Sequence, residues 1–391
     1  MKRRVLHFVR KNTQLKASFI NNQISHHLDF EPLLVFRKNV SKLNDGGFAD
    51  FDLSLLNYLD LSKNETFFEE IRFKILKTLS KRQILSIKKL IKEKKIDICH
   101  FHYGTDCGVF YPLIKYIEIP AVVSFYGYDC SSFPSIALGY GKQYLIKRAF
   151  NLVNNVFAMS PDMKKDLIAA GCPEEKIIVH YYGTDTTRFF IKRDYQQKST
   201  LTILILASLV PQKGHLFLLK SVKKLIESKI NNFVLRIVGT GELEKELKSF
   251  VNENSLQKYV VFTGALMYAS KEMLEEYKQA DIFIHPSVVA RNGDKEGLPG
   301  TIIEAMSAGL PVISTYHAGI PFIIESGING ILVKEYEVNN LAKAIKNLIQ
   351  DKDLRKTIGL NGQKYAIEHL DLKQKETELE ELYKLIINNE L

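Results

Sequence analysis

Twelve short apolar runs, most of them followed by a stretch with helical periodicity, constrain this chain more than any other feature. The first six are Val5–Val9, Leu33–Phe36, Ile96–Phe101, Ala121–Phe125, Val156–Met159 and Ile177–His180. The second six are Leu201–Ala207, Val234–Val238, Val260–Phe262, Asp281–His285, Val312–Ser314 and Gly330–Val333. Strands that are apolar nearly throughout, alternating with amphipathic helices, predict parallel sheets covered on both faces. A chain of 391 residues is long enough for two such domains, each burying its own core. The expected fold class is therefore α/β, with two Rossmann-like, doubly wound parallel-sheet domains facing a central cleft. The polar stretch Ile191–Thr200 reads as the hinge linker, which sets the domains at 1–190 and 191–369. Residues from about Asp351 onward read as helix throughout, and the end of it, about 370–391, is expected to pack back on the first domain.

Charge separates the two halves. Residues 1–200 carry 31 Lys/Arg against 20 Asp/Glu, and residues 201–391 carry 23 against 24, so the whole net charge of +10 sits in the first half. Such a surface is drawn to anionic partners. Between Phe67 and Ile96, apolar residues interleave with Lys74, Lys77, Lys81, Arg82, Lys88, Lys89, Lys92, Lys94 and Lys95. That pattern suits either helices lying on an anionic membrane or core-covering helices with a solvated lysine face. No apolar run approaches the ~20 residues of a membrane span. The stretch after Met1-Lys2-Arg3-Arg4 stops at Arg10, too soon for a signal peptide, so Val5–Val9 reads as a first core strand. Cys99, Cys107, Cys130 and Cys172 form no metal-ligand spacing and read as reduced thiols. A cytoplasmic location is expected, with peripheral attachment to the inner face of the membrane as the alternative.

The segment His285–Met306 runs from a strand, through a loop with Gly293, Gly297 and Gly300, into a helix starting near Pro299 or Gly300. A helix start presents free N–H groups and a partial positive charge, a ready phosphate site. Glu296 and Glu304 flank it, eight positions apart. Carboxylates beside an anion site make sense where each binds something neutral, and sugar hydroxyls fit.

Glu296-Gly-Leu-Pro-Gly-Thr-Ile-Ile-Glu304 resembles the E-x7-E motif of the group 1 family (family 4) of GT-B glycosyltransferases. Ala305–Thr315, Gly319-Ile-Pro321, Gly327–Gly330, Leu209–Gly214, Ser160–Met163 and Tyr182–Phe189 match the same family in order along the chain. The wording around Pro286–Pro299 is similar to bacterial exopolysaccharide enzymes of the colanic-acid and amylovoran type. The resemblance implies GT-B architecture and assigns roles by position. Glu296 would contact the donor sugar and Glu304 the ribose. The backbone of Gly297, Leu298, Pro299, Gly300 and Thr301 would hold the phosphates and sugar. Lys213 would neutralise the diphosphate leaving group, where a fixed cation lowers the barrier. Ser208, in the lysine loop, and the Gly239-Thr-Gly241 turn would line the nucleotide, although such turns are more often plain strand-to-helix connections. Lys213, Glu296 and His102 are the expected catalytic residues. Arg10, His102, Tyr126 and Asp129 are placed on the acceptor side or cleft. A packed or capping histidine is the alternative for His102, while His100, deeper on the same strand face, reads as structural.

Three departures from the family pattern stand out: Ala207-Ser208 in place of Gly-Arg, Tyr126 in place of histidine, and Arg10–Thr13 in place of a glycine-rich loop. The implied activity is retaining, metal-independent transfer of a hexose from a nucleoside-diphosphate sugar, first of all a UDP-sugar, to a saccharide or lipid-linked glycan acceptor. No cofactor, no metal and no nucleic acid are expected. A DxD metal motif has two candidates, Asp50-Phe-Asp52 and Asp351-Lys-Asp353, neither in a strand-end context. The competing functions are a GT-B sugar-nucleotide epimerase and a degenerate transferase scaffold serving as a membrane- or anion-binding module.

Overall fold

The computed structural model describes residues 2–40 and 56–391. Seven strands form the first sheet: β1 (Arg3–Lys11), β2 (Phe30–Lys38), β3 (Asn57–Asp60), β4 (Ile98–His102), β5 (Ala121–Ser124), β6 (Asn155–Ala158) and β7 (Ile177–Val179). They lie in the order β3-β2-β1-β4-β5-β6-β7, all parallel. The second sheet holds β8 (Leu201–Leu206), β9 (Phe233–Val238), β10 (Val260–Gly264), β11 (Ile282–His285), β12 (Val312–Thr315) and β13 (Ile331–Val333). Their order is β10-β9-β8-β11-β12-β13, again parallel. All twelve expected strands are present. The thirteenth, β3, is a short edge strand, Asn-Tyr-Leu-Asp, with its first two residues exposed, so it has no apolar run to announce it.

Strand order reverses between β1 and β4 in the first sheet and between β8 and β11 in the second. These topological switch points are where open parallel sheets bind ligands, beyond the strands' carboxyl ends.

The first compact unit comprises the described residues up to Gly183 together with Leu372–Leu391; the second runs from Thr184 to Asp371. One face of the first sheet buries Leu6, Phe8, Cys99, Phe101 and Val123. The opposite face buries Val5, Ile98, Val122 and Phe157 under Leu379, Tyr383 and Ile386 of the helix Leu372–Ile387. The C-terminal region is two helices, Lys352–His369 and Leu372–Ile387, broken at Leu370-Asp371. Asp351 caps the first of them, accepting from Leu354 N at 2.8 Å. This explains the second DxD spacing as a helix start; the first, Asp50–Asp52, lies outside the described residues.

Ile191–Thr200, expected as a linker from its polarity, is strapped to the second unit. The Arg193 guanidinium donates to the carbonyls of Ala308, Ala280 and Tyr277, and Tyr195 Oη donates to Gly309 O at 2.7 Å. The charge of Arg193 is spent on main-chain carbonyls, whereas Lys192, Asp194 and Lys198 are exposed.

The basic stretch folds as two helices, each opened by a capping box: Thr66 with Glu69 before Phe67–Leu76, and Ser80 with Gln83 before Lys81–Lys94. The second buries Gln83 and Ile87; the first buries no residue. Among the described residues no helix is long and apolar enough to cross a membrane.

Candidate active site

In the second unit, β8 runs into the loop Ala207–Gly214 and β11 into the loop that carries Glu296. Gly214 adopts φ +70°, and a Cβ there would stand 1.9 Å from Pro286 O, so the lysine loop lies directly on the segment following β11. Val288 N donates to Gln212 O at 2.9 Å and joins the two loops. On the other side, Gly239 and Gly241 allow the turn after β9 to press on the carbonyls of Ala207 and Leu209, where a Cβ would sit at 2.0 and 2.5 Å. The Gly239-Thr-Gly241 turn is thus a close-packing device against the lysine loop. Ser208 is exposed beside it.

These loops bring Lys213 and Glu296 together. Lys213 Nζ donates to Glu296 Oε2 at 2.6 Å. Ser287 Oγ donates to Glu296 Oε1 at 3.3 Å, and His285 Nε2 lies 3.5 Å from the same oxygen. Thr301 Oγ1 is 3.2 Å from His285 Nδ1, so the neutral ring takes the threonine proton there and keeps its own on Nε2, toward the carboxylate. Burial pushes the Glu296 carboxyl up, but Lys213 and His285 outweigh it and hold the group well below the usual carboxylate range. Burial keeps His285 neutral, below its ordinary value.

A second layer orients the first. Glu296 N donates to His317 Nε2 at 3.2 Å, which leaves His317 Nδ1 to donate to Glu335 Oε1 at 2.7 Å. Glu335 Oε2 accepts from Val289 N at 2.8 Å, tying the loop back. Gly297 O accepts from Gly319 N at 3.0 Å. The helix Gly300–Ser307 then starts behind Pro299 with no side-chain cap; Ile302 N donates to Pro299 O at 3.1 Å, and the N–H groups of Gly300 and Thr301 ahead of it are the ones presented to a ligand. Leu298 and Pro299 are buried and fix the approach.

Glu304 does not join the Lys213–Glu296 pair. It is buried in that helix and accepts from Tyr277 Oη at 2.6 Å. Burial raises its carboxyl to about 7 against the pull of the tyrosine bond. A surface glutamate would do neither.

In the first unit the residues expected on the acceptor side are held differently. Arg10, at the end of β1, is partly exposed and pairs with the buried Asp106 at 3.4 Å. Asp129 is fully buried and accepts from the N–H groups of Gly104 (2.8 Å), Tyr126 (3.1 Å) and Gly127 (3.2 Å). It ties the β4 and β5 loops together, and burial raises it to about 6. His102, expected to face a cleft, is instead buried with both nitrogens engaged: Nδ1 lies 2.6 Å from Tyr126 Oη and Nε2 lies 3.0 Å from His7 Nδ1. The side chain lies along the sheet face rather than beyond the strand end. Burial lowers it to about 3. His100 is buried beside it, between Tyr383 Oη and Ser124 Oγ.

Sequence reasoning assigned no role to His285, Ser287, His317, Glu335, Tyr277, His7, His27 or Glu380. For His285 and Ser287 a signal existed, since both stand at the carboxyl end of a recognisable strand. For Glu335 and Glu380 there was none, because their partners are distant in sequence. Ring nitrogens of His7, His100 and His102 lie within 4.8 Å of one another, a separation a metal ion could use.

Two family models match the chain: "Glycosyltransferase Family 4" over residues 69–188 and "Glycosyl transferases group 1" over residues 187–365. The amylovoran biosynthesis glycosyltransferase AmsK of Erwinia amylovora is 32% identical over 256 residues, which is 65% of this chain and 61% of AmsK. WcaL of Escherichia coli K12, named for colanic acid biosynthesis, is 35% identical over 175 residues, 45% of this chain and 42% of WcaL. The chain therefore matches between about two fifths and three fifths of the length of these relatives. A GDP-mannose-dependent phosphatidylinositol monomannoside mannosyltransferase of Mycobacterium tuberculosis is 29% identical over 193 residues, 47% of this chain and 49% of that enzyme. Among solved structures, Anabaena Alr3699/HepE in complex with UDP superposes with a TM-score of 0.76 at 17% identity, covering 98% of this chain and 99% of that one.

Proposed function

Because the chain belongs to the group 1, family 4 glycosyltransferases and has their GT-B fold, we propose that it transfers a hexose from a nucleoside-diphosphate sugar to a hydroxyl of a saccharide or lipid-linked glycan in polysaccharide biosynthesis. The observation that carries this reading is the Lys213–Glu296 pair, set between the switch-point loops of β8 and β11 and ahead of the helix start at Gly300. A diphosphate entering there meets Lys213 and the first-turn N–H groups. A sugar hydroxyl meets Glu296, and a ribose hydroxyl meets Glu304. As the glycosidic bond breaks, negative charge grows on the phosphate oxygen and Lys213 counters it. The cation is already in place, so the reaction is proposed to need no metal. The second unit is the donor side and the first the acceptor side.

The donor's α-configuration is expected to survive, with the departing phosphate taking the acceptor proton. UDP is the first nucleotide to test, since HepE is seen with UDP; the GDP-mannose-dependent relative makes GDP the second. The proposed site of action is an anionic membrane face. In the helix Phe67–Leu76, Phe67, Phe68 and Ile75 are 71, 81 and 73% exposed, with Arg72, Lys74 and Lys77 alongside. Apolar anchors ringed by cations suit anionic lipid.

The test is a thermal-shift panel of UDP-, GDP- and ADP-sugars with chelator present, on the wild type and on Glu304→Ala. A ligand at a hundred times its Kd adds about 2.7 kcal/mol. Stabilisation by one nucleotide sugar, lost in the variant, is expected. No shift with any of them overturns the donor site and favours the scaffold reading.

A further inference from the structure

Three histidines of the first unit form a continuous hydrogen-bonded chain. It runs from Tyr126 Oη to His102 Nδ1 (2.6 Å), from His102 Nε2 to His7 Nδ1 (3.0 Å), and from His7 Nε2 to His27 Nε2 (2.9 Å). It ends from His27 Nδ1 to Glu380 Oε1 (3.1 Å). His7 and His102 are fully buried, and the side chain of His27 is fully buried as well. His100 stands outside the chain, bonded to Tyr383 and Ser124.

The direction of every proton in the chain follows from its far end. Glu380 accepts from three main-chain N–H groups, Leu28 (2.8 Å), Asp29 (2.9 Å) and Phe30 (3.2 Å). Burial pushes its carboxyl up, but these bonds and that of His27 bring it down to about 2, so it is an acceptor only. His27 Nδ1 must then carry a hydrogen. Its Nε2, in the neutral ring, is an acceptor and takes the proton of His7 Nε2. His7 Nδ1 in turn accepts from His102 Nε2, and His102 Nδ1 accepts from the Tyr126 hydroxyl. Reversing the chain requires an additional proton, an imidazolium at His27.

One neighbour bears on this order. Tyr126 Oη is also 3.1 Å from Gln23 Oε1, while the buried Gln23 Nε2 has no partner among the described residues. Turning the amide over lets Nε2 donate to the phenol oxygen and leaves the phenol proton for His102. The amide then leaves a carbonyl unpaired rather than an N–H, the less costly of the two. All ring nitrogens of the cluster are engaged in this way, so no three lone pairs converge on a point where a metal would sit.

We infer that Glu380, acting through His27, His7 and His102, fixes the direction of the Tyr126 hydroxyl and so holds the Tyr126 side chain at the carboxyl end of β5. Glu380, His27 and His7 are then positioning residues, contributed by the C-terminal helix, the turn before β2 and the switch-point strand β1. Tyr126 stands where the family pattern has a histidine, and the importance of holding it rests on reading this unit as the acceptor side.

The experiment is a long-range ¹H–¹⁵N correlation on the full chain labelled at histidine, which reports the tautomer of each ring and needs no ligand. At pH 8, His102 and His7 are expected as the Nε2–H form and His27 as the Nδ1–H form. Control should run one way. Glu380→Gln should scramble the tautomer of His102 at the opposite end, whereas Tyr126→Phe should leave His7 and His27 unchanged. If Glu380→Gln fails to fold, His27→Gln interrupts the chain without touching the three main-chain donors, and the same loss at His102 is expected. An Nδ1–H form at His102 in the wild type, an unchanged His102 in the interrupted variants, or one equivalent of zinc held by the purified protein overturns the inference. These outcomes are independent of the nucleotide-sugar panel. Fixed tautomers with no donor binding would sink the proposed function alone, and the reverse would sink the chain alone.

Discussion

Both sheets place histidines at the point where their strand order reverses, and the two sets do opposite things. At the β1/β4 point of the first unit three rings bond to one another and to the hydroxyl of Tyr126, and a single carboxylate, Glu380, closes the line. At the β8/β11 point of the second, His285 and His317 each serve a carboxylate, and Lys213 supplies a positive charge. The topology is shared; the electrostatics are not. A site that meets a diphosphate requires a fixed cation with its counter-ion already arranged, whereas one that meets neutral hydroxyls has no such need. Switch-point geometry therefore locates a site, and the charges around it indicate its ligand.

The largest expected effect tests the dry side of this contrast. Burial lowers His7 and His100 well below their ordinary value, His102 to about 3 and His180 to about 4. Unfolded histidines take up protons near their ordinary value of 6.5 while these do not, so their contribution is present above that pH and is lost as pH falls below it. At pH 5 the four together cost on the order of 8 kcal/mol, offset in part by the buried carboxyls of Asp129 and Glu376, which burial raises and which regain stability as pH falls. In the second unit, burial lowers His215 to about 3 and also lowers His285, about half the burden. Hydrogen exchange followed by mass spectrometry between pH 7 and 5 should show the first unit opening before the second. Simultaneous opening, or the reverse order, would break the comparison.

The next effect concerns the charged side. Lys213→Ala removes the cation and leaves Glu296 with two neutral donors, and nucleotide release should fall by about 10²- to 10³-fold. Because the two groups form one unit, Lys213→Ala combined with Glu296→Gln should be little worse than either alone. Independent losses that multiply would show that the pair separates before reaction and that each member acts alone.

Much of this arrangement could be read in the sequence, for physical reasons. The twelve buried strands announce themselves because strands covered on both faces must be apolar throughout. Glu296 and Glu304 drew notice because they flank a glycine-rich helix start, and Lys213 because its loop resembles that of the family. Their mutual distances could not be read. That Lys213 bonds Glu296 while Glu304 turns to Tyr277 depends on how the loops after β8 and β11 meet, and the close approach at Gly214 settles it. His102 was placed in a cleft because strand ends point there; its burial follows from His7 on the neighbouring strand, and parallel register between strands more than ninety residues apart leaves no local trace. Glu380 was invisible for the same reason, since its partners lie about 350 residues earlier in the chain.

A smaller effect separates the two glutamates of the motif. Glu296 is held ionised by Lys213, whereas Glu304 is raised by burial to about 7 from 4.5. Between those two values the folded chain keeps a proton that the unfolded chain has released, so this carboxyl removes stability as pH rises through the window. The size is on the order of 3 kcal/mol. Glu304→Gln, which cannot ionise, should gain in melting temperature relative to the wild type as pH goes from 4.5 to 8. Glu296→Gln should show no such gain over the same range, because that carboxylate is already ionised throughout it. A gain for both variants would mean that the ion pair does not form.

The smallest effect isolates the one hydrogen bond that holds Glu304. Tyr277→Phe deletes the donor at 2.6 Å and leaves the ring in its packing. Tyr277 is fully buried, so water is a poor substitute, and the carboxyl answers by keeping its proton to higher pH. The cost at neutral pH should be about 1 kcal/mol, the ordinary net worth of such a bond. The pH at which the Glu304→Gln difference appears should move upward by less than about one unit, since the tyrosine is a neutral donor and not a counter-charge. Melting curves of the Tyr277→Phe protein with and without Glu304→Gln, from pH 4.5 to 9, measure both quantities. An unmoved midpoint would mean that burial alone sets the protonation of Glu304. The two carboxylates would then differ because one has Lys213 beside it and the other has no cation, with the tyrosine serving only to orient the group.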